Sequence, residues 1–256
     1  MTNKEKREYL IRYLLAERGE NSVLIPNDEY EQRNLLRSLF NVRTPGKVSE
    51  EYKQIEGEYL REEIAKKGVT DYKTLTPIKP GIYLWQGDIT TLKCGAIVNA
   101  ANSGMTGCWQ PLHNCIDNCI HTYAGVELRN TCDKIMKEQG HKEPTGKAKI
   151  TLSYNLPCRY VIHTVGPIVN GLLENSHKEL LALCYRSCLE IADCYNIESI
   201  AFCCISTGVF GFPQSEAAKI AIKTVEEYLE NTKSKIEVIF NVFRADDYKI
   251  YRELLK

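Results

Sequence analysis

The sequence lacks a surplus of charge of either sign, since 33 lysine and arginine residues are balanced by 33 aspartate and glutamate residues. Proteins that bind a nucleic-acid backbone usually carry a basic surplus, so the composition indicates no nucleic-acid partner. No apolar stretch approaches the roughly 20 residues of a membrane span, and charged residues interrupt the N-terminal segment where a secretory signal would be apolar. These absences predict a cytoplasmic protein with no membrane partner.

The sequence also lacks the cysteine pattern of a disulfide scaffold. Its eleven cysteines are odd in number, and the chain of 256 residues, 43% of them hydrophobic, is long enough to bury a full core without crosslinks. No Cys-x-x-Cys pair occurs, which is the common unit of a structural zinc module. We therefore expect reduced cysteines, several of them packed as small apolar side chains.

Residues 1–75 differ in pattern from the rest of the chain. Apolar and tyrosine side chains recur at helical spacing from Tyr9 onward, and Ser49 and Gly68 stand where they would begin and end a third helix. No constellation of catalytic side chains is visible here. The pattern predicts a small helical N-terminal extension that packs as a scaffold on the main domain, residues 76–256.

From Pro80 onward, short apolar runs alternate with segments of helical period. The runs predicted as buried strands are 82–84, 96–98, 160–162, 200–202, and 238–240 with 242–243. The segments predicted as helices are 175–194, 215–229 and 245–254. Strands that are apolar on both faces and separated by helices predict an α/β fold with a mostly parallel sheet covered on both sides. Ligands of such sheets bind beyond the carboxyl ends of the strands, so the loops there are the candidate site.

Two of these loops carry uncharged or acidic polar residues. Asp88, in Gly-Asp-Ile-Thr, could accept a hydrogen bond from an exocyclic amine or could cap a turn. Asn99 and Asn102 follow the strand at 96–98, where they could bind a polyhydroxyl ligand such as ribose or could tie down the loop backbone. Both interpretations stay open for each residue.

A third loop carries three side chains of the kinds that bind zinc. Cys108, His113 and Cys115 offer two thiolates and an imidazole within eight positions. Three protein ligands without an obvious fourth are typical of a catalytic site, because the fourth position is left for water or substrate. Cys119 is the nearest further candidate, but it lies in a predicted helix. The alternative is two buried cysteines beside an exposed histidine.

A fourth loop, residues 206–213, is rich in glycine and lies between the strand at 200–202 and the next helix. Glycines let backbone amides turn toward a ligand, and the N-terminus of the following helix adds positive potential. This combination favours a cradle for phosphate oxygens, although a plain glycine turn has the same composition. The segment is not a P-loop, since it lacks Gly-Lys-Ser/Thr.

Taken together, the four loops resemble those of a macrodomain, the ADP-ribose-binding module. The matching segments, in family order, are Gly-Asp-Ile-Thr at 87–90, Ala-Ile-Val-Asn-Ala-Ala-Asn at 96–102, Ile-Asp-Asn-Cys-Ile-His at 116–121 with Ala-Gly at 124–125, and Ile-Ser-Thr-Gly-Val-Phe-Gly-Phe-Pro at 205–213. The resemblance implies a three-layer α/β/α sandwich with a mixed, mostly parallel central sheet. Where most hydrolytic macrodomains carry a glycine run, this chain has Cys108, His113 and Cys115. That departure resembles the zinc-dependent subclass of microbial macrodomains, which also carry a helical N-terminal extension.

The resemblance implies how a nucleotide would be held. Asp88 would accept from the adenine amine with Ile89 beside it, and Phe243 would flank the ring. The diphosphate would be held by the backbone amides of Ser206, Thr207, Gly208, Val209 and Phe210.

The resemblance also implies the chemistry at the other end of the ligand. Asn99 and Asn102 would lie near the distal ribose, with Asn102 the more direct contact. One Zn²⁺ per chain would be held beside that ribose by Cys108, His113 and Cys115. Asp117 matches the acidic residue that hydrolytic relatives place near the scissile bond, so Asn102 and Asp117 are the candidate catalytic residues.

The function implied by the resemblance is a zinc-dependent hydrolase that removes mono-ADP-ribose from proteins, from carboxylate-linked side chains. Two other functions stay open, namely a module that binds ADP-ribose without cleaving it and a deacetylase of O-acetyl-ADP-ribose. A zinc deaminase would need His-x-Glu and Pro-Cys-x-x-Cys signatures, which are absent. The expected partners are ADP-ribose and a mono-ADP-ribosylated protein. The resemblance associates the subclass with a lipoyl-carrier protein and a sirtuin-like ADP-ribosyltransferase.

Overall fold

A six-stranded sheet forms the centre of the molecule, in a computed structural model that describes residues 1–256. The helices are α1 (Asn3–Glu17), α2 (Glu29–Val42), α3 (Glu50–Lys67), α4 (Ile116–Ala124), α5 (Val126–Gln139), α6 (Asn175–Cys194), α7 (Gln214–Thr232) and α8 (Ala245–Leu254). The strands are β1 (Thr70–Asp71), β2 (Ile82–Gln86), β3 (Leu92–Lys93), β4 (Ala96–Ala101), β5 (Ala148–Leu152), β6 (Tyr160–Val165), β7 (Ser199–Phe202) and β8 (Glu237–Val242). None of the helices combines the length and the apolar content that crossing a membrane would need.

The strand order of the main sheet is β2-β8-β7-β4-β6-β5, and every neighbouring pair is parallel except β5 with β6. Strands β1 and β3 pair separately as a short parallel ribbon. Helices α6, α7 and α8 pack in one layer, and α4 and α5 cover the opposite face. The predicted three-layer α/β/α sandwich with a mixed, mostly parallel sheet is confirmed.

The strands form because their side chains are apolar on both faces of a sheet that is covered on both sides. Their residues supply much of one hydrophobic core of 44 buried side chains. A second, smaller core of 12 buried side chains lies among α1, α2 and α3, and it includes Val126 at the start of α5. The extension therefore has a core of its own that is continuous with the first turn of α5.

Side-chain caps fix the ends of the extension helices. The Asp28 carboxylate accepts from the Glu31 amide at the start of α2 (2.9 Å), and the Ser49 hydroxyl accepts from the Tyr52 amide at the start of α3 (3.1 Å). Helix α3 ends at Lys67 and is capped by Gly68, whose φ of +86° is open to glycine at little cost.

Sequence patterning missed strand β5. Its five residues are mostly half-buried and mix lysine and threonine with apolar side chains, which is typical of an edge strand. The structure also extends the helix expected at 215–229 to Gln214–Thr232. The β1–β3 ribbon, with two residues in each strand, is too short to give a sequence pattern.

Candidate active site

A cleft of about 940 Å³ opens at the carboxyl ends of the parallel strands. Its walls come from the loops that follow β4, β6, β7 and β8, which the parallel topology brings to one edge of the sheet. The volume lies within the range of about 300–1,000 Å³ that is typical of small-molecule sites. The lining includes residues 107–115, which carry the candidate metal ligands, and residues 206–210 of the glycine-rich loop.

Asp117 lies in the wall of this cleft, where two asparagines hold its carboxylate. The Asn99 amide donates to Asp117 Oδ1 (2.8 Å), and the Asn102 amide donates to Asp117 Oδ2 (3.2 Å). Asn102 lines the cleft, whereas Asn99 is fully buried beneath it. Asn99 therefore orients Asp117, and of the two asparagines Asn102 is the one in reach of a ligand.

Local structure explains why Asp117 faces the cleft. Cys115 is the N-cap of α4, with its sulfur accepting from the Asn118 amide (3.4 Å), so Asp117 falls in the first helical turn. Burial raises the pKa of the Asp117 carboxyl to about 6, against the opposing effect of the hydrogen bond from Asn99. The structure therefore holds a buried carboxylate at the carboxyl ends of the strands.

Two buried histidines and a cysteine lie behind Asp117. The His163 Nδ1 atom accepts from the Asn99 amide (3.1 Å), which leaves Nε2 protonated beside the Thr151 hydroxyl (3.0 Å). His121, one helical turn after Asp117, has no hydrogen-bond partner on either nitrogen, and Cys132 completes the group. Because His163 Nδ1 bonds to Asn99 and His121 Nε2 lies 3.6 Å from Asp117 Oδ1, we interpret this group as support for the pair of Asn99 and Asp117.

The three predicted metal ligands converge on the cleft. Cys108 Sγ lies 3.4 Å from His113 Nδ1, and the ligand atoms of Cys108, His113 and Cys115 all lie within 4.8 Å of one another. Bond lengths of about 2.3 Å for Zn–S and 2.0–2.1 Å for Zn–N separate the ligand atoms of a tetrahedral site by roughly 3.5–4 Å. The arrangement of these side chains therefore fits a zinc ion with only small adjustments.

The pKa of the Cys115 thiol also favours a bound metal ion. Burial raises the pKa of the Cys115 thiol to about 12. At neutral pH its thiolate form therefore needs a bound cation to stabilise it. Cys119 is not part of the group, because its sulfur lies 3.8 Å from Arg37 Nη2, one helical turn further along α4.

The glycine-rich loop offers unpaired amides to the cleft. None of the hydrogen bonds in the structure uses the backbone N–H groups of Gly208, Val209 or Phe210, and all three residues line the cleft. The Ser206 hydroxyl is buried without a partner, and Ser206 itself has a φ of +65°. A strained turn with free donors is the kind of backbone that binds anions.

Of the residues predicted to hold the adenine, only some line the cleft. Phe243 lines the cleft and is 74% exposed, so its ring is free to cover a ligand. Ile89 is buried, and Asp88 lies outside the lining. The Asp88 carboxylate accepts from the amide and hydroxyl of Thr90 (3.0 and 2.6 Å) and pairs with Lys67 Nζ (2.8 Å).

Sequence reasoning missed several residues of the site. Gly166 lines the cleft directly after β6, and a side chain there would collide with the Ser206 hydroxyl. Asn241 and Asp247 line the end near Phe243. The Val-Gly-Pro turn after β6 was the one available signal, because a glycine directly after a buried strand indicates a close approach of the backbone.

Comparison with known proteins identifies related chains. The Macro domain family model matches residues 98–221. A protein of Treponema medium named Protein-ADP-ribose hydrolase is 55% identical over 260 residues, which cover 100% of both chains. A Staphylococcus aureus protein of the same name is 51% identical over 255 residues, covering 98% of this chain and 96% of that one.

Solved structures show the same architecture. A variant of the Oceanobacillus iheyensis macrodomain with ADPR is 38% identical and superposes with a TM-score of 0.64, covering 71% of this chain and 96% of that chain. The Trypanosoma brucei macrodomain in complex with ADP-ribose is 30% identical with a TM-score of 0.67, covering 86% of this chain and 95% of that chain.

Proposed function

Because this chain belongs to the macrodomain family, we propose that it is a zinc-dependent hydrolase that removes mono-ADP-ribose from carboxylate-linked side chains of proteins. Relatives that are 51–55% identical over nearly the whole chain are named for the removal of ADP-ribose from proteins, and this chain is an enzyme of that kind. The observation that carries the proposal is that Asp117, Asn102 and three side chains of the kinds that bind zinc line one cleft.

The cleft has a suitable group for each part of ADP-ribose. The free amides of Gly208, Val209 and Phe210 would bind the diphosphate, beside the N-terminus of α7. Phe243 would stack on the adenine, with Asp88 and Ile89 at its edge. The distal ribose would then reach Asn102, whose amide already lies beside Asp117.

The bond to be broken joins C1″ of the distal ribose to an oxygen of the modified side chain. As this bond lengthens, C1″ gains oxocarbenium character, and the leaving carboxylate takes the bonding electron pair. A water molecule adds to C1″ and gives its proton to the Asp117 carboxylate, which Asn99 and Asn102 hold in place. The products are ADP-ribose and the free carboxylate.

Zinc bound by Cys108, His113 and Cys115 would supply Lewis-acid polarisation and a template for the distal ribose. The protein's own part is to aim two sulfurs and one imidazole nitrogen at a common point beside Asn102 and Asp117. Because the three zinc-ligand candidates line the same cleft as Asn102 and Asp117, loss of the ion would misplace the sugar relative to the Asp117 carboxylate.

The test combines metal analysis with release of ADP-ribose from a protein mono-ADP-ribosylated on glutamate or aspartate. We expect about one zinc per chain in the unmodified protein, and loss of both zinc and hydrolysis in Cys108→Ala and His113→Ala. Cys194→Ser removes an exposed thiol on α6, outside the cleft lining, and should change neither. Full hydrolysis by metal-free variants would refute the zinc dependence.

The same assay separates the two alternative functions. Binding of ADP-ribose without its release from the protein would indicate a binding module, and faster cleavage of O-acetyl-ADP-ribose would indicate the deacetylase.

A further inference from the structure

Helix α2 of the N-terminal extension reaches the loop that carries the metal ligands. Arg37 Nη2 donates to the carbonyl of His113 (2.8 Å) and to Asn118 Oδ1 (3.1 Å), while Nη1 donates to Asn114 Oδ1 (3.2 Å). One guanidinium therefore fixes the backbone of a metal ligand and joins it to the first turn of α4. Its planar fork of donors suits this role better than a lysine would.

One turn further along α2, Asn41 holds the residue before His113. The Asn41 Oδ1 atom accepts from the Leu112 amide (3.0 Å), and the Asn41 amide group donates to the Thr122 hydroxyl on α4 (3.0 Å). Leu112 has a φ of +57°, a left-handed conformation that costs a non-glycine residue roughly 1–3 kcal/mol and persists only where its surroundings impose it. Asn41 bonds to the Leu112 amide and Arg37 to the carbonyl of the next residue, so the two side chains flank this strained position.

The start of the loop is tied to the same helix. The Asn118 side chain, held by Arg37, donates to the carbonyl oxygens of Cys108 (3.4 Å) and Gln110 (3.0 Å). Residues on both sides of the ligand set are therefore linked, directly or through one amide, to α2.

We propose that Arg37 and Asn41 are positioning residues, which hold residues 107–115 in the strained conformation that aims Cys108, His113 and Cys115 at one ion. The extension is then part of the metal site, although it supplies no ligand. This inference rests on the proposed zinc dependence, and it predicts that loss of the anchors weakens zinc binding through the loop and not through global instability.

The first test measures zinc affinity by competition with a chromophoric chelator. Arg37→Ala should lower the affinity roughly 10–100-fold, the usual effect of removing a group that orients a metal ligand. Arg33→Ala is the matched control, because Arg33 lies one turn earlier on α2 and pairs with Glu29 and Glu63, away from the loop. Arg37→Lys, which retains one donor for the His113 carbonyl, should recover part of the affinity.

The second test asks whether backbone strain is the cause. Leu112→Gly placed in the Arg37→Ala protein should restore part of the zinc affinity, because glycine adopts a φ of +57° without the steric cost that leucine has. A structural defect elsewhere in the extension would not respond to this change.

Amide hydrogen exchange in the metal-free protein keeps the test independent of zinc. Residues 107–115 should exchange faster in Arg37→Ala than in Arg33→Ala at equal thermal stability. If the unmodified protein binds no zinc, the proposed function fails, and the exchange result still decides whether α2 anchors the loop. Equal exchange and equal zinc affinity in the Arg37→Ala and Arg33→Ala proteins would overturn the inference.

Discussion

The catalytic role proposed for Asp117 can be tested separately from its structural role. Its two oxygens accept from Asn99 and Asn102, and Asp117 lines the cleft although it is only 4% exposed. Asp117→Asn keeps an oxygen for one of these two donors and places an amide group opposite the other, and it cannot accept a proton from water. We expect kcat for ADP-ribose release to fall roughly 10²–10⁴-fold, as for loss of a general base. The dissociation constant for ADP-ribose, measured by calorimetry, should change by only a few-fold.

Asp133→Asn serves as the comparison for this variant, because Asp133 pairs with Lys137 on α5 outside the cleft lining. It should keep the kcat of the unmodified enzyme. A kcat for Asp117→Asn close to that of Asp133→Asn would show that water is activated elsewhere.

Glu56 gives the extension a pH-dependent stability. Burial raises the pKa of this carboxyl from its ordinary 4.5 to about 7, although it accepts from the Val126 amide (3.1 Å) and the Tyr52 hydroxyl (3.2 Å). Between pH 4.5 and about 7, Glu56 therefore keeps a proton in the folded state that it has lost in the unfolded state. As pH rises from 4.5 to 7, the free energy of unfolding should fall by up to about 3 kcal/mol.

Glu56→Gln should flatten that decline, because a glutamine has no proton to lose and keeps an oxygen for Tyr52. Chemical denaturation at several pH values between 4.5 and 8 measures the difference. Glu50→Gln, an exposed position on the same helix, should leave the pH dependence as it is. An unchanged pH slope in Glu56→Gln would mean that another group controls it.

At the scale of elements, sequence periodicity predicted most of the fold. The helix expected at 175–194 is observed as Asn175–Cys194, since an uninterrupted apolar face over five turns has few alternatives. Strand β5 was missed, because the predicted strands were continuous apolar runs, whereas Ala-Lys-Ile-Thr-Leu alternates apolar and polar residues. Such alternation is typical of a half-buried strand, and β5 lies at the edge of the sheet, paired only with β6.

The glycine-rich loop between β7 and α7 is an element whose proposed role can be tested alone. Val209 is 78% exposed, so a polar residue there should not disturb the fold. Val209→Asp would place a carboxylate beside the free amides and repel the diphosphate. We expect ADP-ribose affinity to fall about tenfold or more, which corresponds to roughly 1.4 kcal/mol.

Asparagine is nearly the same size as aspartate but has no charge. The Val209→Asn protein should therefore bind ADP-ribose with an affinity within a few-fold of the unmodified protein. Calorimetry at low and high salt distinguishes the two variants, because only the charge effect of aspartate should weaken as salt is raised. Equal affinities for aspartate and asparagine would place the diphosphate elsewhere in the cleft.

At the scale of the whole molecule, the limits of sequence reasoning are clear at the site. Cys108, His113 and Cys115 are close in sequence, so their convergence could be foreseen. The contact between Arg37 and His113 spans 76 positions and two structural units, and no local pattern indicates it. Of the two roles that the sequence left open for Asp88, the structure shows the cap of a short helical turn, and its contact with adenine stays a proposal.

The two cores of the molecule are joined by a buried arginine. Arg129 Nη1 on α5 donates to the carbonyl oxygens of Phe40 (3.0 Å), Asn41 (2.9 Å) and Arg43 (2.8 Å) at the end of α2, and its guanidinium lies 4.4 Å from the centre of the Trp109 ring. These three carbonyls, two of them in buried hydrogen bonds, thus depend on one nitrogen, which shares its two hydrogens among them. We expect the unmodified protein to unfold in a single cooperative transition, because neither unit can separate without losing these bonds.

Arg129→Met keeps an unbranched apolar stem but removes the guanidinium and its donors, and we expect it to lower the free energy of unfolding by about 3 kcal/mol. Calorimetry should then resolve an earlier transition for the extension, since its attachment to α5 has lost the hydrogen bonds of Arg129. Arg61→Met removes one exposed hydrogen bond between the same units, to Asn155, and should cost about 1 kcal/mol or less. A single transition in both variants, with equal loss of stability, would show that packing around Val126 and not Arg129 couples the extension to the domain that carries the site.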